Sequence, residues 1–212
     1  MSPPSTFERV YVALKDKLRS GAFRPGERLE PAHLSEELHA SVTPVRDALH
    51  RLTGERLVEA PPHEGFRVPA CSEILLRHLY AWHQDLLLLA LSRRPTLPPA
   101  LLEKEGPASQ PQDTIDELVA SIASTGGNPE LLHALRSVRA RLEPFAPVER
   151  LLLSSIEAEN QAILEASRSG DRRALRTALV RYHRRRNRLV PEILAVALSR
   201  SPAGYNRDTH AE

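Results

Sequence analysis

The run Ser41-Val42-Thr43-Pro44-Val45-Arg46-Asp47-Ala48-Leu49-His50-Arg51-Leu52-Thr53-Gly54 places apolar side chains at Val45, Ala48, Leu49 and Leu52, the spacing of one buried helix face. Thr43 is placed to cap this helix, Pro44 to open it and Gly54 to end it. With the apolar stripe turned inward, Val42, Thr43, Arg46, Asp47 and His50 fall on the outer face, near the helix N-terminus.

Upstream, Ser5 and Glu8 have capping-box spacing, and Phe7, Val10, Tyr11, Leu14 and Leu18 continue at helical period to Gly21. Pro25 and Gly26 mark a turn, and Pro31 opens a short second helix carrying Ala32, Leu34 and Leu38. Downstream, Leu57 to Ala60 and Phe66 to Pro69 read as two short strands around the turn Pro61-Pro62-His63-Glu64-Gly65. Helix, short helix, break, helix and two-stranded wing, in that order, predict a winged helix-turn-helix over residues 4–70 whose third helix enters the major groove. Arg46 is then the expected base reader, because a guanidinium grips guanine O6 and N7 with two parallel hydrogen bonds. Thr43 and the free N–H groups beside it suit a phosphate. His63, Gly65 and Arg67 are the expected wing contacts, Gly65 allowing the backbone close to the minor groove.

Residues 71–199 show helical periodicities separated by proline and glycine and no strand pattern, so the fold class is mainly α, a winged helix-turn-helix followed by an all-helical bundle. Helices are expected over Ser72 to Arg93, Asp113 to Ser124, Glu130 to Leu142, Pro147 to Ser169 and from Asp171 onward. Pro191 should kink or split the last of these near Val190. Residues 200–212 read as a disordered tail. The longest apolar run, Leu86 to Leu91, is six residues, too short to span a bilayer. Met1 to Thr6 lacks the pattern of a secretory signal, and the one cysteine, Cys71, cannot form an internal disulfide, so a cytoplasmic protein is expected.

The 29 Lys+Arg and 27 Asp+Glu leave a net charge of +2, and residues 1–70 hold ten of each sign, so the N-terminal part carries no bulk electrostatic footprint for nucleic acid. Specific contacts must supply what net charge does not. No Ser/His/Asp order, paired carboxylate, HExxH or phosphate-cradling glycine loop occurs, so no catalytic residue, metal or cofactor is expected.

Leu29, Leu34 and Leu38, then Ser41, Thr43 to Leu49 and Leu52, then Leu57, Val58, Gly65, Phe66 and Val68, preceded by Pro25 to Leu29, closely resemble the DNA-binding domain of GntR-family bacterial transcription regulators. The resemblance covers residues 7–69 and implies DNA contacts from Ser41, Val42, Thr43, Arg46, His50 and the wing. Two positions depart from the family pattern. The usual groove-facing arginine is Val42, and the wing residue before the glycine, often basic, is Glu64. Both imply weak non-specific affinity and a shallow salt dependence.

Gly127 to Leu132, Glu159, Ile163, the Gly170-Asp171 turn and Ala174, Leu175, Ala178 and Leu179 resemble the helical ligand-binding (FCD) domain of the FadR-like subgroup. That resemblance implies a metal held by one aspartate and three histidines. At those positions this chain has Ile115, Val119, Asn160 and Tyr182, so the metal site is expected to be lost. His183, next to Tyr182, could restore one ligand only. The arginine of the first effector helix is replaced by His83. An effector pocket is expected around His83, Asn160, Tyr182, Arg185 and Arg186, with Arg185 or Arg186 gripping a carboxylate. Trp82 reads as core or as a dimer seam.

These readings together predict a homodimeric regulator, a repressor or an activator, acting on a palindromic double-stranded DNA operator and modulated by a small molecule, with no membrane partner. Two alternatives stand beside it: an effector-independent regulator with a closed pocket, and a small helical enzyme using His78, His83, His133 or His183.

Overall fold

Ser5 Oγ accepts the backbone N–H of Glu8 at 3.2 Å and so starts α1 (Thr6–Arg19). The structure is a computed structural model and describes residues 5–93, 115, 118 and 128–199. The chain divides into two compact units: of the described residues, 5–72, 143–147 and 194–199 form one, and 73–93, 115, 118, 128–142 and 148–193 the other.

In the first unit, α1 packs on α3 (Val42–Gly54), and α2 (Pro31–Glu37) packs on α3. Val10, Leu14, Leu18, Leu34, Val45, Ala48, Leu49 and Leu52 are buried between them; each such leucine contributes roughly 2 kcal/mol by leaving water. Arg9 donates to the carbonyls of Leu38 (2.8 Å) and His39 (3.2 Å), satisfying the end of α2. Tyr11 and Lys15 converge on Glu55 at 2.5 and 2.6 Å, tying α1 to the end of α3. Arg19 pairs with the buried Glu143.

Two expectations need correction here. α3 begins at Val42 with Ser41 as its N-cap, not at Thr43 and Pro44. Pro44 is tolerated inside the first turn because N–H groups there have no intrahelical partner to lose. The wing also differs: Phe66–Arg67 (β2) pairs antiparallel with Arg28–Leu29 (β1), in the register Arg28↔Arg67 and Leu29↔Phe66, while the expected strand at 57–60 contributes only the bridge Glu59↔Arg67. Pro61 and Pro62 cannot donate to a ladder, and His63 turns to φ +64, so pairing stops after one bridge.

The second unit is helical. α4 (Glu73–Ser92) packs on α5 (Pro129–Leu142) and on α8 (Arg172–Arg188), and α7 (Ile156–Arg168) packs on α8. Leu76, Leu87, Leu135, Val138, Ile163, Leu175 and Leu179 are buried. Asn128 Oδ1 accepts from the N–H of Glu130 at 2.9 Å at the start of α5. Asp171 caps α8 by accepting from Arg173 and Ala174, both at 2.9 Å. A 3-10 turn (Glu143–Phe145) and α6 (Ala146–Leu152) come after α5 in the chain.

The long helix expected over Pro147 to Ser169 is instead α6 and α7, broken at residues 153–155. Ser155 leaves helical geometry as the N-cap of α7, the position serines favour over a helix interior. α8 stops at Arg188, and α9 (Val190–Ser199) starts with Pro191 in its first turn, the split expected near Val190. Ile115 and Leu118 are helical and buried. Otherwise residues 94–127, with the rest of the Asp113 to Ser124 helix, and the tail at 200–212 lie outside the described residues. No helix among the described residues is long and apolar enough to cross a membrane.

Candidate nucleic-acid interface and buried polar core

Val45, Ala48, Leu49 and Leu52 are each fully buried, and this fixes the rotation of α3. Ser41, Val42, Thr43, Arg46, Asp47 and His50 are all exposed on the opposite face. Among the described residues no salt bridge or hydrogen bond ties the Arg46 guanidinium. An arginine in the first turn or so of an exposed helix, over a rigid apolar base, is the arrangement that direct readout of a base edge requires.

His50 packs edge-on against Phe66, ring centroids 4.9 Å apart, and couples α3 to the wing strand. In the wing, His63 at φ +64 and Gly65 at φ +76 form left-handed corners on either side of Glu64. His63 and Gly65 are exposed. Arg67 donates to Glu59 at 2.9 Å and to Glu64 at 3.0 Å. Its charge is matched by two carboxylates before any phosphate approaches, so the wing offers less electrostatic attraction than its sequence implies.

The effector residues expected from sequence gather inside the second unit. His83, Asn160, Tyr182 and Arg186 are buried, and Arg185 is partly exposed. Arg186 donates to Glu149 through Nε at 2.6 Å, and through Nη1 to Glu159 at 2.7 Å and to the Tyr182 carbonyl at 3.1 Å. Its guanidinium carbon lies 3.3 Å from the centre of the Tyr182 ring. Tyr80 donates to the other oxygen of Glu149 at 2.6 Å. Burial works against the Arg186 charge, but Tyr182, Glu149 and Glu159 hold its pKa above the ordinary value. Burial and then Glu149 push the Tyr80 phenol well up, so it stays a donor.

One turn along α8, His183 Nδ1 lies 2.7 Å from the Leu179 carbonyl, which only an N–H can satisfy. His183 Nε2 therefore carries a lone pair, and His83 Nδ1, 3.0 Å away, donates to it. The tautomers are set by this chain of bonds. His83 Nε2 is left a buried lone pair with no hydrogen-bond partner among the described residues, and Glu159 Oε1 is a second such acceptor. Burial depresses both imidazoles: His183 to about 4, and His83 well below its ordinary value, with His183, Arg139 and Arg186 adding to the effect.

Sequence reasoning proposed Arg186 as a carboxylate grip but missed Glu149 and Tyr80, which engage it or its partner. Nothing in the local pattern of α6 marked Glu149, since a glutamate in the first turn of a helix is ordinarily solvated. Of the four positions where the FadR-like subgroup places metal ligands, Ile115, Asn160 and Tyr182 are buried and Val119 lies outside the described residues. Among the described residues no group of three or more His, Cys, Asp or Glu could hold a metal ion.

Two helices packed on a third whose outer face is exposed, with a short antiparallel wing, define a winged helix-turn-helix domain, followed in the chain by an all-helical unit. Residues 6–68 match the family of bacterial regulatory proteins, gntR family. The chain is 37% identical over 84 residues to the HTH-type transcriptional regulator McbR of Escherichia coli (strain K12), a match covering 40% of this chain and 38% of that protein. It is 31% identical over 133 residues to the Nta operon transcriptional regulator of Aminobacter aminovorans, covering 57% of this chain and 63% of that one. The chain thus spans less than two thirds of the length of these curated relatives. Among solved structures, McbR/YncC of E. coli superimposes with a TM-score of 0.64 at 22% identity, covering 90% of this chain and 99% of that one. A putative GntR transcriptional regulator from Rhodococcus sp. RHA1 gives 0.68 at 20% identity, covering 89% and 99%. At these identities the likeness is one of fold, and it extends through the helical half.

Proposed function

We propose that the chain is a GntR-family transcriptional regulator of the FadR-like subgroup, a cytoplasmic repressor that binds a palindromic operator as a homodimer. Residues 4–70 carry DNA recognition, and residues 71–199 carry dimerisation and any effector response. The observation that carries this reading is the untied Arg46 guanidinium on the exposed face of α3, whose opposite face is wholly buried. One short helix reads only a few base pairs, so a two-fold pair reading an inverted repeat is what makes recognition selective. Ser41, Thr43 and the N-terminal N–H groups of α3 anchor phosphate, Arg46 and His50 address base edges, and Val42 offers apolar contact to a thymine methyl.

Selection of binders from a randomised duplex pool, followed by gel shift, tests this. The expected product is an inverted repeat, and Arg46→Ala should weaken binding to it by about 5- to 150-fold per half-site, with smaller losses on unrelated duplex. Loss of equal size on every sequence would remove Arg46 as a base reader.

On the effector, one observation favours the alternative of a closed core. Arg186 Nε is engaged by Glu149 and Nη1 by Glu159 and the Tyr182 carbonyl, and a two-pronged grip on a carboxylate must use one of these two nitrogens. A carboxylate ligand would have to displace a buried glutamate, and breaking a buried pair is strongly unfavourable. Thermal-shift screening with small carboxylates separates the readings: no stabilisation is expected from the closed core, whereas a saturable rise in Tm returns Arg186 or Arg185 to ligand binding.

A further inference from the structure

α4 turns one row of side chains to solvent. Ile74, His78, Ala81, Trp82, Asp85 and Leu89 are all at least partly exposed, while Leu76, Leu79, Tyr80, His83, Leu86, Leu87 and Ala90 are buried. The exposed row includes Ile74 at 68%, Trp82 at 51% and Leu89 at 41% relative exposure, an apolar strip with a tryptophan at its centre. Large apolar side chains exposed along one helix face, interrupted here by His78 and Asp85, suit a contact surface, and tryptophan is among the residues most enriched where binding energy concentrates.

The row is also self-complementary about its own midpoint, which lies between Ala81 and Trp82. Ile74 and Leu89 are equidistant from that point, and so are His78 and Asp85. When a second α4 lies antiparallel across the first with a two-fold axis at the midpoint, each Ile74 faces a Leu89, each His78 faces an Asp85 and each small Ala81 faces a bulky Trp82. An isologous contact demands this match, in which residue i meets j and j meets i. Apolar meets apolar, large meets small, and an imidazole N–H meets a carboxylate, a pairing that holds in either protonation state of the histidine.

We propose that this face of α4 is the seam between two copies of the chain, packed antiparallel about a two-fold axis between Ala81 and Trp82. The proposal rests on the homodimer reading above and specifies the surface and register that reading leaves open. The row from Ile74 to Leu89 runs about 22 Å along the helix, long enough for four turns of contact at a shallow crossing angle.

Sedimentation equilibrium on the full chain tests it, with circular dichroism to follow the fold; none of the substituted side chains is buried. Trp82→Arg should raise the dimer Kd about 30-fold or more. His78→Glu sets two pairs of like charges across the axis, and Asp85→Lys sets lysine against histidine; each should raise Kd about fivefold. The double variant His78→Glu/Asp85→Lys re-creates two opposite-charge pairs and should return to within about twofold of the unsubstituted chain. Within one chain the two positions are about 10 Å apart along the helix, so rescue can come only from the facing copy. A dimer indifferent to Trp82→Arg, or a double variant as weak as the two single effects compounded, overturns the seam and leaves the homodimer intact. A monomeric unsubstituted chain overturns both.

Discussion

Arg46 and Val42 stand one turn apart on the same exposed face of α3, and only one of them is charged. If that face lies on DNA, restoring the missing cation should show itself in salt dependence rather than in sequence preference alone. Val42→Arg is expected to tighten binding at low salt and to steepen the slope of log K against log salt by about one per bound protomer. Gel shifts at several salt concentrations measure it, and an unchanged slope would place position 42 away from the phosphates. The exposed and buried faces of α3 were legible from a four-residue apolar stripe, because burial of Val45, Ala48, Leu49 and Leu52 is a local, periodic signal. The state of Arg186 was not. Its partners come from Glu149 and Glu159, 37 and 27 residues earlier in the chain, and no periodicity records a long-range ion pair.

Elements were legible where one residue type had one local job. Pro31 opens α2, Asp171 caps α8 and Pro191 separates α8 from α9. Two-residue strands were not, since Arg28 and Leu29 are too few to display a period of two, and β1 is defined by its partner. The turns between α1 and β1 allow a comparison of two glycines. Gly21 (φ +72) and Gly26 (φ +81) both sit in the left-handed region, but a Cβ at Gly21 would lie 2.6 Å from the Pro144 carbonyl oxygen, whereas nothing lies within 4 Å at Gly26. Gly26→Ala should cost about 1 kcal/mol, the conformational penalty alone. Gly21→Ala carries that penalty and must also move backbone, so it should cost at least about 2 kcal/mol. Denaturant midpoints with unchanged m-values give the comparison; equal losses would mean that the Pro144 carbonyl yields freely.

At the scale of the whole molecule, the buried His83–His183 pair makes stability depend on pH. Both imidazoles are held neutral in the folded chain, His183 down to about 4 and His83 well below its usual value, chiefly because burial disfavours the cation. In the unfolded chain each titrates near its ordinary value of about 6.5. Between those limits the unfolded state binds more protons than the folded one, so stability rises with pH; it is complete above about 6.5 and is lost as pH falls toward 4. For His183 alone the loss at pH 5 is about 2 kcal/mol. Glu55 adds a separate and lower window: burial raises its pKa, but hydrogen bonds from Lys15 and Tyr11 overcome this and leave it lowered, so its contribution disappears only at more acid pH. Replacing both histidines, His83→Leu with His183→Leu, removes their shared hydrogen bond from both sides, and the Leu179 carbonyl that loses the His183 N–H lies within α8, so the change is expected to be small at pH 7. The double variant should therefore match the unsubstituted chain in Tm at pH 7 and exceed it at pH 5. Thermal unfolding followed from about pH 7.5 to 4.5 decides the matter, since this range brackets the ordinary histidine value: a double variant that loses Tm with acid as steeply as the parent would show that the destabilising protons bind elsewhere.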